Sequence, residues 1–368
     1  MSYPKFKIAR SAALALGLAV GAAASWAATP ASMHAMVAVS TGGTDVLELQ
    51  TIPVPQPAAA QALVRIYAAS VNPADWKQRA ARGGGPAPEM PPRIPGRDVA
   101  GVIEKVGPGV TQFKVGDAVF GQVAPLPEAP LNGAYAQYAV APVADLAPKP
   151  KRMSFAQASG LGIATVTGVR AVQNAGITAG QRVLITGAAG GVGSAAVQSA
   201  KSHGAYVIGT ASARHAIYLK GIGLDESIDY TAGDWVARIQ SIDAVIDTVS
   251  AANATLALRT MKRGGRLIYV NGRPDAAACM AAGVDCLGGS LGTMNMPAPP
   301  GVAAATAGAG GNTVVDEILR LANTGKLSIA IDASYPLEQA AAAQELSRKG
   351  GTQGKIVLIV DAARAGSR

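Results

Sequence analysis

The chain of 368 residues is poor in aromatic side chains and in cysteine. Aromatic residues make up 4% of the sequence, whereas hydrophobic residues as a whole make up 49%. Its cores must therefore be built from Ala, Val, Ile and Leu, and the length is sufficient for two ordinary domains. The two cysteines, Cys279 and Cys286, could form a disulfide in an oxidising compartment or could be two buried small hydrophobic residues. The two cysteines therefore do not show in which cell compartment the protein lies.

Acidic residues are also scarce. The chain has 23 Asp and Glu against 32 Lys and Arg, a formal net charge of +9. Three of these positive charges lie in the first 32 residues, which contain no acid, so +6 remains, spread along the rest. The densest basic stretch, Lys149–Arg152, is short and has no interleaved aromatic residue. We interpret it as a solvated linker and expect no nucleic-acid partner.

Residues 1–28 have the pattern of a secretory signal peptide. Three basic residues precede an apolar stretch, and Ser25 and Ala27 place small side chains at the −3 and −1 positions of a cleavage site. The stretch is too short and too rich in alanine for a membrane span, so we expect no stable membrane insertion. The pattern predicts a periplasmic or secreted protein. The alternative is a misassigned start, with translation beginning at Met33 or Met36 in a cytoplasmic protein.

Short alternating segments separated by glycine and proline continue to about residue 150. They predict a β domain over 33–155. The predicted strands are His34–Val39, Val46–Leu49, Ala62–Ala68, Gly101–Val106, Asp117–Phe120 and Ala134–Ala139.

From Phe155 onward the spacing of apolar residues is typical of helices that alternate with buried strands. A small-residue helix over Ala164–Val172 leads to strands near residues 183, 205, 242 and 266. This alternation predicts a doubly wound α/β domain over 156–329. The final predicted strand, Gly354–Val360, has no α/β partner left, so we expect residues 330–368 to return to the β domain.

The most informative segment is an apolar strand that enters a glycine-rich turn and a small-residue helix. The strand covers Val183–Ile185, and the next parallel strand covers Ala205–Thr210. A βαβ unit of this kind binds a pyrophosphate at the N–H groups that open the helix. Gly187 permits the tight turn, Gly190 lets the backbone approach the phosphates, and Gly193 lets the helix pack close to the strand. The predicted cofactor-binding residues of the turn are Gly187, Gly190, Gly191, Val192 and Gly193.

The end of the second strand distinguishes the two nicotinamide dinucleotides. An NAD site usually places Asp or Glu about 20 residues after the glycines, on the ribose 2′-hydroxyl. The corresponding stretch, 209–215, has no acid, and Ser212 and Arg214 instead offer a hydroxyl and a cation to a 2′-phosphate. NADP(H) is therefore the predicted cofactor. The alternative is that Arg214 is a solvated residue at the start of a helix.

Further matched segments follow one another in order along the chain. They are Ala69–Asp75, Pro95–Gly101, Val115–Gly121, Ala188–Gly193, Tyr335–Ala341 and Gly354–Val357. Through them the chain resembles the medium-chain dehydrogenase/reductase superfamily, in its zinc-free quinone oxidoreductase (zeta-crystallin-like) branch. The resemblance covers roughly 33–275 and 313–361. It implies an α/β fold, with a Rossmann-type doubly wound parallel sheet plus a GroES-like mainly β domain, and a homodimer.

The zinc-binding members of that superfamily hold the metal with Cys and His ligands and a water molecule. This chain has only three histidines, and both cysteines lie in the α/β half or beyond it. Where the zinc enzymes carry a Gly-His-Glu segment, this chain has Gly96, Arg97 and Asp98. We therefore expect no metal site.

The resemblance also implies roles for single residues. It places Asn72 beside the nicotinamide and Thr167 at its carboxamide side. Two residues fall near the 2′-phosphate and two at the carboxyl ends of later strands: Arg214 and Tyr230, then Val249 and Asn271. Without a metal, catalysis must rest on placing the nicotinamide against an electron-poor carbon and stabilising the enolate that develops. The implied function is an NADPH-dependent reduction of quinones or α,β-unsaturated carbonyls by hydride transfer.

One departure from the branch concerns catalysis. Many of its quinone reductases carry a tyrosine just after the Asn-Pro-x-Asp segment, whereas here Trp76 and Lys77 follow Asp75. This variant resembles the enone or alkenal reductases of plants and bacteria. Lys77 could polarise a carbonyl or donate a proton, with Trp76 as a wall of the pocket. Equally, Asp75 and Lys77 could form a local ion pair, with Trp76 in the core.

Two other functions can be compared with this one. Gly288–Gly292 matches the nucleophile elbow of hydrolases, but that fold requires a later histidine and none follows His215. The second hypothesis is a nucleotide-binding scaffold that keeps the fold without turnover. Export away from the cytoplasmic NADPH pool favours it, as does the unreadable Ala-, Gly- and Pro-rich stretch 276–312.

Overall fold

The computed structural model of the chain describes residues 29–80, 91–289, 294 and 313–368. The signal peptide expected at 1–28 lies outside the described residues, and so does Ser290 at the centre of the nucleophile-elbow match. Within these described ranges, no helix combines the length and the apolarity that crossing a bilayer requires.

The described residues before 155 are mainly β-structure, with one α-helix, α1 (Pro73–Arg79). Its strands are β1 (Ser32–Ala38), β2 (Leu47–Pro53), β3 (Gln61–Val71), β4 (Asp98–Val106), β5 (Ala118–Gln122), β6 (Tyr138–Pro142) and β7 (Leu146–Pro148). The strand expected from Ala134 begins only at Tyr138. The residues before it leave the ladder because the N–H groups of Ala134 and Tyr135 donate to the carbonyls of Gly96 and Pro95 (3.1 Å each).

The following part alternates helices and strands, as the change of period predicts. Its helices are α2 (Phe155–Ser159), α3 (Ile163–Ala175), α4 (Gly191–Ser202), α5 (Ala216–Gly221), α6 (Ala251–Ala257), α7 (Ala276–Ala282) and α8 (Thr313–Asn323). Its strands are β8 (Arg182–Thr186), β9 (Tyr206–Ala211), β10 (Glu226–Asp229), β11 (Ile242–Asp247), β12 (Met261–Tyr269) and β13 (Asp285–Gly288). They form a parallel sheet in the order β10-β9-β8-β11-β12-β13, which is the doubly wound Rossmann order. The predicted fold class is confirmed.

The end of the chain pairs with the first half. It contains β14 (Ile331–Pro336), α9 (Ala340–Lys349), β15 (Lys355–Ile359) and α10 (Ala362–Ala365). Strand β15 pairs antiparallel with β3, with Ile356 opposite Val71. The resulting seven-stranded sheet has the order β14-β15-β3-β4-β5-β7, and β6 also pairs with β3. This pairing brings residues 350–355 to the edge of the parallel sheet.

The cores are aliphatic, as the shortage of aromatic residues requires. One cluster fills the β half, and two clusters cover the two faces of the parallel sheet. A further cluster joins the halves, because Tyr67 and Phe120 of the seven-stranded sheet pack with Leu161, Val166 and side chains of α8. Tyr135 and Phe120 are the largest fully buried side chains.

The basic stretch near residue 150 is not the solvated linker that we expect from its composition. Lys149 is buried, and its Nζ donates to the carbonyl of Met153 (2.6 Å) and lies 4.9 Å from the ring centroid of Phe155. Lys151 and Arg152 are exposed. The prediction is wrong for Lys149 because the turn offers its ammonium carbonyl oxygens and an aromatic face.

The two cysteines form a disulfide. Cys279 in α7 is bonded to Cys286 in β13, and their Cα atoms are 6.3 Å apart. The bond fastens α7 to the last strand of the parallel sheet, in a stretch whose sequence has no readable pattern.

Candidate functional site

Two clefts open at the carboxyl ends of the parallel strands, on either side of the turn that follows β8. The first cleft, about 360 Å³, is lined among others by Gly187, Thr210, Ser212, His215, Tyr230 and Val249. The second cleft, about 280 Å³, is lined among others by Asn72, Lys77, Val192, Thr248, Asn271 and Lys355. Gly190 and Thr352 line both clefts. The turn therefore lies where the two cavities meet.

The glycines of this turn are required for different reasons. Gly187 has φ +65°, and a Cβ there would lie 2.6 Å from Thr248 Oγ1. A Cβ at Gly193 would overlap the Gly187 carbonyl oxygen, so this glycine lets α4 approach the turn. At Gly190 the backbone is extended (φ −72°) and the nearest atom to a Cβ would be 3.5 Å away. The protein itself does not require glycine at 190, and a Cβ there would project into the clefts.

Helix α4 opens directly onto the second cleft. Its N-cap is Gly190, whose carbonyl accepts the N–H of Ser194 (2.8 Å). The first amides of an α-helix have no acceptor in their own helix, and the dipole makes this end positive. Gly191, Val192 and Gly193 of this first turn all line the second cleft. The arrangement fits an anion, such as a diphosphate.

A segment from the other sheet, residues 350–354, lies across the turn. The N–H of Gly354 donates to the carbonyl of Ala189 (2.8 Å), and Thr352 lines both clefts. The stretch from Gly354 resembles the family, but the resemblance implies no role for it. The three closely spaced glycines are the sequence signal for this segment, because Gly350, Gly351 and Gly354 all have positive φ.

The first cleft contains most of the residues predicted for the 2′-phosphate. Ser212 and the half-exposed Tyr230 line it, and no Asp or Glu is among its lining residues in the described chain. Arg214 does not line it: its Nη2 donates to the Gly351 carbonyl and its Nε to His215 Nε2 (3.1 Å). Its guanidinium is thus held beside the cleft by the 350–354 segment.

Val249 and Asn271 lie at carboxyl ends of strands, as predicted. Val249 lines the first cleft and Asn271 the second, where its Nδ2 donates to the Thr248 carbonyl (2.8 Å). The buried Asp247 orders this loop, since its Oδ1 accepts the N–H groups of Val249 and Ser250 (3.1 Å each).

Thr167 is not among the residues that line either cleft. It is 1% exposed within α3, and its Oγ1 donates to the carbonyl of Ile163 one turn earlier (2.7 Å). This bond to the i−4 carbonyl is a common alternative for threonine inside a helix. The contact of Thr167 with the carboxamide side of a nicotinamide stays a prediction.

The floor of the second cleft contains a buried amide between two buried charges. Asn72 Oδ1 accepts from Lys355 Nζ (2.7 Å), and Asn72 Nδ2 donates to Asp98 Oδ2 (2.8 Å). Lys355 Nζ also donates to the Val71 carbonyl (2.9 Å). Asp98 Oδ1 accepts the N–H of Ile163 at the start of α3 (2.9 Å). Sequence reasoning found Asn72 but missed both charged partners.

These charges determine which way the amide points. The reversed amide would place N–H groups against the ammonium of Lys355 and an oxygen against the carboxylate of Asp98. Nδ2 has a second acceptor in the Ser70 carbonyl (3.4 Å), so both of its hydrogens point into the protein. The oxygen is the atom of the Asn72 amide that has a lone pair left for a ligand. Asn72 can therefore accept a hydrogen bond in the cleft.

Helix α1 carries Lys77 to the margin of the second cleft. Lys77 is exposed, and its Nζ lies 5.5 Å from the ring centroid of Trp76. It forms no ion pair with Asp75, whose Oδ2 accepts from the Asn72 N–H (2.8 Å) and from the Tyr135 hydroxyl (2.9 Å). Trp76 is half-buried and its Nε1 donates to Ser347 Oγ (3.3 Å), so it contacts α9 rather than a core.

The buried ionisable groups have shifted pKa values. Burial raises the pKa of Asp75 to about 7, although hydrogen bonds from the Asn72 amide and the Tyr135 hydroxyl favour its ionised form. Burial also raises the pKa of Asp98 and lowers the pKa of Lys355, and the opposite charge of each opposes this effect in the other.

The residues present do not fit a catalytic zinc. No cluster of three or more His, Cys, Asp or Glu that could hold a metal occurs in the part of the chain that the structure describes. Both cysteines are in the disulfide. Asp98, which stands in the Gly-Arg-Asp segment, uses its oxygens for Ser70, Asn72 and Ile163.

Comparisons with known proteins identify the family. The Alcohol dehydrogenase GroES-like domain profile matches residues 58–151, and the Zinc-binding dehydrogenase profile matches 222–358. The quinone oxidoreductase of Rattus norvegicus is 31% identical over 352 residues, covering 89% of this chain and 98% of the relative. The chain belongs to the medium-chain dehydrogenase/reductase superfamily, in its quinone oxidoreductase branch. It is an oxidoreductase of a family that uses nicotinamide dinucleotides.

Other relatives match part of their length. The NADPH-dependent alkenal/one oxidoreductase of Arabidopsis thaliana (chloroplastic) is 37% identical over 252 residues, which cover 67% of this chain and 64% of the relative. The 2-methylene-furan-3-one reductase of Solanum lycopersicum is 35% identical, with 63% of the relative covered. Among solved structures, the quinone oxidoreductase from Coxiella burnetii superposes with a TM-score of 0.75 at 29% identity, covering 89% of this chain and 99% of the other.

The buried carboxyl of Asp75 makes stability depend on pH. Since its pKa is about 7 in the folded protein and about 4 in an unfolded chain, this carboxyl stabilises the fold below pH 4 and progressively less as pH rises to 7. Asp75→Asn keeps an oxygen for Asn72 and Tyr135 but cannot ionise. We expect the unfolding free energy of the wild type, relative to the variant, to fall by about 3 kcal/mol between pH 4.5 and pH 8. Urea unfolding at both pH values measures it, and a constant difference would contradict it.

Proposed function

We propose that the chain is an NADPH-dependent, zinc-independent reductase of quinones or α,β-unsaturated carbonyls. The observation that carries the proposal is Gly190, which lines both clefts and has no protein atom closer than 3.5 Å to its Cβ position to explain why it is glycine. A dinucleotide whose diphosphate lies at Gly190 has one cavity for each of its halves. The adenosine half would use the first cleft and the nicotinamide half the second.

Ser212, Arg214 and Tyr230 support NADP(H) over NAD(H). The first cleft has no acidic lining residue in the described chain that would repel a 2′-phosphate or bind a 2′-hydroxyl. Arg214 is close in sequence to Ser212 and is bonded to the Gly351 carbonyl. A 2′-phosphate would replace this neutral acceptor with an anion, which forms the stronger hydrogen bond with a guanidinium.

The second cleft offers the groups that a reduction requires. The bound reduced nicotinamide supplies a hydride. Asn72 offers an oxygen that accepts a hydrogen bond and so orients a donor group of the ligand. As the substrate oxygen becomes negative, the Lys77 ammonium can donate to it and transfer a proton, which water then returns to Lys77. One hydride and one proton complete the two-electron reduction of a conjugated carbonyl or a quinone.

Zinc independence is supported by the residues themselves. The chain has three histidines and two cysteines in all, and the cysteines are bonded to each other. A conjugated carbonyl has its electron-poor carbon without Lewis-acid activation, so a hydrogen-bond donor can replace the metal. The names of the relatives point to such acceptors, which are quinones in the rat enzyme and alkenals and enones in the Arabidopsis enzyme.

The disulfide supports the proposal that the protein is exported. Disulfides persist in the periplasm and outside the cell, and they are rare in the cytosol. N-terminal sequencing of the native protein tests this, because a mature start near residue 28 supports cleavage and Met33 or Met36 supports a cytoplasmic start. We also propose a homodimer, on the family resemblance, and sedimentation velocity tests it.

The experiment that tests the function separates binding from turnover. Fluorescence titration should show NADPH binding in preference to NADH, and stopped-flow mixing with a small quinone or enone should show oxidation of bound NADPH. Failure to bind NADPH would contradict the proposal. Binding without oxidation across a broad panel of acceptors would support the scaffold hypothesis instead.

Gly190→Ala tests the position of the diphosphate. The new Cβ meets no protein atom closer than 3.5 Å, so we expect the unfolding free energy to change by no more than about 1 kcal/mol. The Cβ projects into the clefts, so the dissociation constant for NADPH should rise at least about tenfold. Gly221→Ala in α5 is the control, because a Cβ there meets no atom within 4 Å and Gly221 lines neither cleft. Equal affinity in the two variants would place the diphosphate elsewhere.

Arg214→Ala tests the choice of dinucleotide. Loss of the guanidinium removes the cation available to a 2′-phosphate, so the preference for NADPH over NADH should fall about tenfold or more, with NADH binding nearly unchanged. Lys220→Ala removes the same charge from an exposed site on α5 that lines neither cleft. If both variants have the same cofactor preference as the wild type, Arg214 serves only to hydrogen-bond the Gly351 carbonyl and does not select the dinucleotide.

Lys77→Met tests the proton donor. Removal of a general acid typically costs a factor of about 100 or more in rate, so oxidation of bound NADPH should slow strongly with little change in NADPH affinity. Lys77→Arg keeps a cationic donor and should retain more of the rate. The neighbouring exposed Gln78→Ala is the control on the same helix. A wild-type rate in Lys77→Met would leave Lys77 without a part in the reaction.

A further inference from the structure

The Asn72 amide is unusual because it is 2% exposed and lies between a buried ammonium and a buried carboxylate. Each of the three groups comes from a different element: Asn72 precedes α1, Asp98 begins β4, and Lys355 begins β15. A buried charge is costly unless it is paired, and Lys355 is 5% and Asp98 0% exposed. An arrangement that needs two buried charges to hold one amide calls for a functional explanation.

We propose that Lys355 is a positioning residue for hydride transfer: together with Asp98 it fixes the Asn72 amide so that its oxygen is the atom offered to the ligand. This inference rests on the proposed function, because it concerns the same second cleft. It differs from the role of Lys77, which is exposed at the cleft margin. Lys355 acts through Asn72.

The charges of Lys355 and Asp98 fix the orientation of the Asn72 amide. An amide between hydroxyl groups, which both donate and accept, can turn its oxygen to either side at little cost. Asp98 favours the observed orientation only while it is ionised, since a protonated carboxyl could donate to the amide oxygen instead. The ammonium of Lys355 supports that ionised state through its opposite charge and binds the amide oxygen directly. Lys355 thus acts on both ends of the amide.

The Lys355 side chain lies between the glycine turn and the Asn72 amide. A Cβ at Gly191 would lie 2.8 Å from Lys355 Cδ, so the aliphatic part of Lys355 passes directly beside the first turn of α4. Its Nζ then reaches the Val71 carbonyl and Asn72. The side chain therefore connects the glycine turn, where we place the diphosphate, to the amide that faces the other half of the cofactor. A change at Lys355 alters the second of these sites without removing the first.

The test compares Lys355→Met with Lys149→Met. Lys149 is the matched control because it is also buried, its Nζ also donates to backbone carbonyls, and it lines neither cleft. Both variants should lose stability. Only Lys355→Met should slow the oxidation of bound NADPH by quinone, by at least about tenfold, while the dissociation constant for NADPH changes less than about threefold. Equal rates in the two variants would overturn the proposal.

A second readout follows the amide itself. In the wild type the side-chain N–H₂ signal of Asn72, assigned by its absence from Asn72→Ser, should exchange slowly with solvent because both hydrogens are bonded inside the protein. In Lys355→Met it should shift and exchange faster. An unchanged signal would overturn the proposal even if the protein had no reductase activity. This readout separates failure of the inference from failure of the proposed function.

The double variant Lys355→Met, Asp98→Asn covers the case in which the single variant does not fold. Removing both opposite charges is less destabilising than removing one. The new amide at position 98 would keep an oxygen for the Ile163 N–H and turn its own N–H₂ towards Asn72, so that the Asn72 amide must reverse. We expect a folded protein with slow hydride transfer. Recovery of the wild-type rate would show Lys355 to be only a counter-charge and would overturn the proposal.

Discussion

The antiparallel pairing of β15 with β3 is the constraint on which the site depends. With Ile356 opposite Val71, Lys355 comes to lie beside Asn72, and the preceding residues must cross the turn that follows β8. Gly354 then donates to Ala189 within that turn. One register therefore brings the 350–354 segment to the place where the two clefts meet. A shift of one residue would turn Lys355 to the other face of the sheet.

The parts of this arrangement that are local could be predicted from sequence. Gly187 and Gly193 are determined by the backbone of one turn, and the turn lies between two recognisable strands. Asn72 was found through a family segment. Lys355 was missed because its partner Asn72 is 283 positions away in the sequence. The sequence around a lysine in an apolar strand also does not indicate whether its side chain is buried. The place of Thr167 beside the nicotinamide stays a prediction, and the sequence does not reveal that its hydroxyl bonds within its own helix.

Two acidic residues, Asp75 and Asp98, bind Asn72 at the second cleft. Asp75 and Asp98 are both buried, but they differ in what compensates their desolvation. Asp98 accepts three hydrogen bonds, whereas Asp75 accepts two, from one backbone amide and one phenol, and the Lys355 ammonium favours the ionised form of both. Asp98 thus orients the side-chain amide of Asn72, and Asp75 holds the same residue through its backbone N–H. Two buried carboxyl groups therefore fix one asparagine.

Export of the protein and its dependence on NADPH, both of which we propose, together restrict the compartment in which the cofactor can bind. The signal peptide that we propose for residues 1–28 has no twin arginine, so an exported chain would use the general export route, which carries unfolded chains. An unfolded chain has no clefts, because residues 350–355 meet the glycine turn only after β15 has paired with β3. The cofactor would therefore have to bind after export and folding. It follows that a protein with both properties would need NADP(H) in the compartment where the Cys279–Cys286 bond forms, and that a cytoplasmic start would remove this requirement.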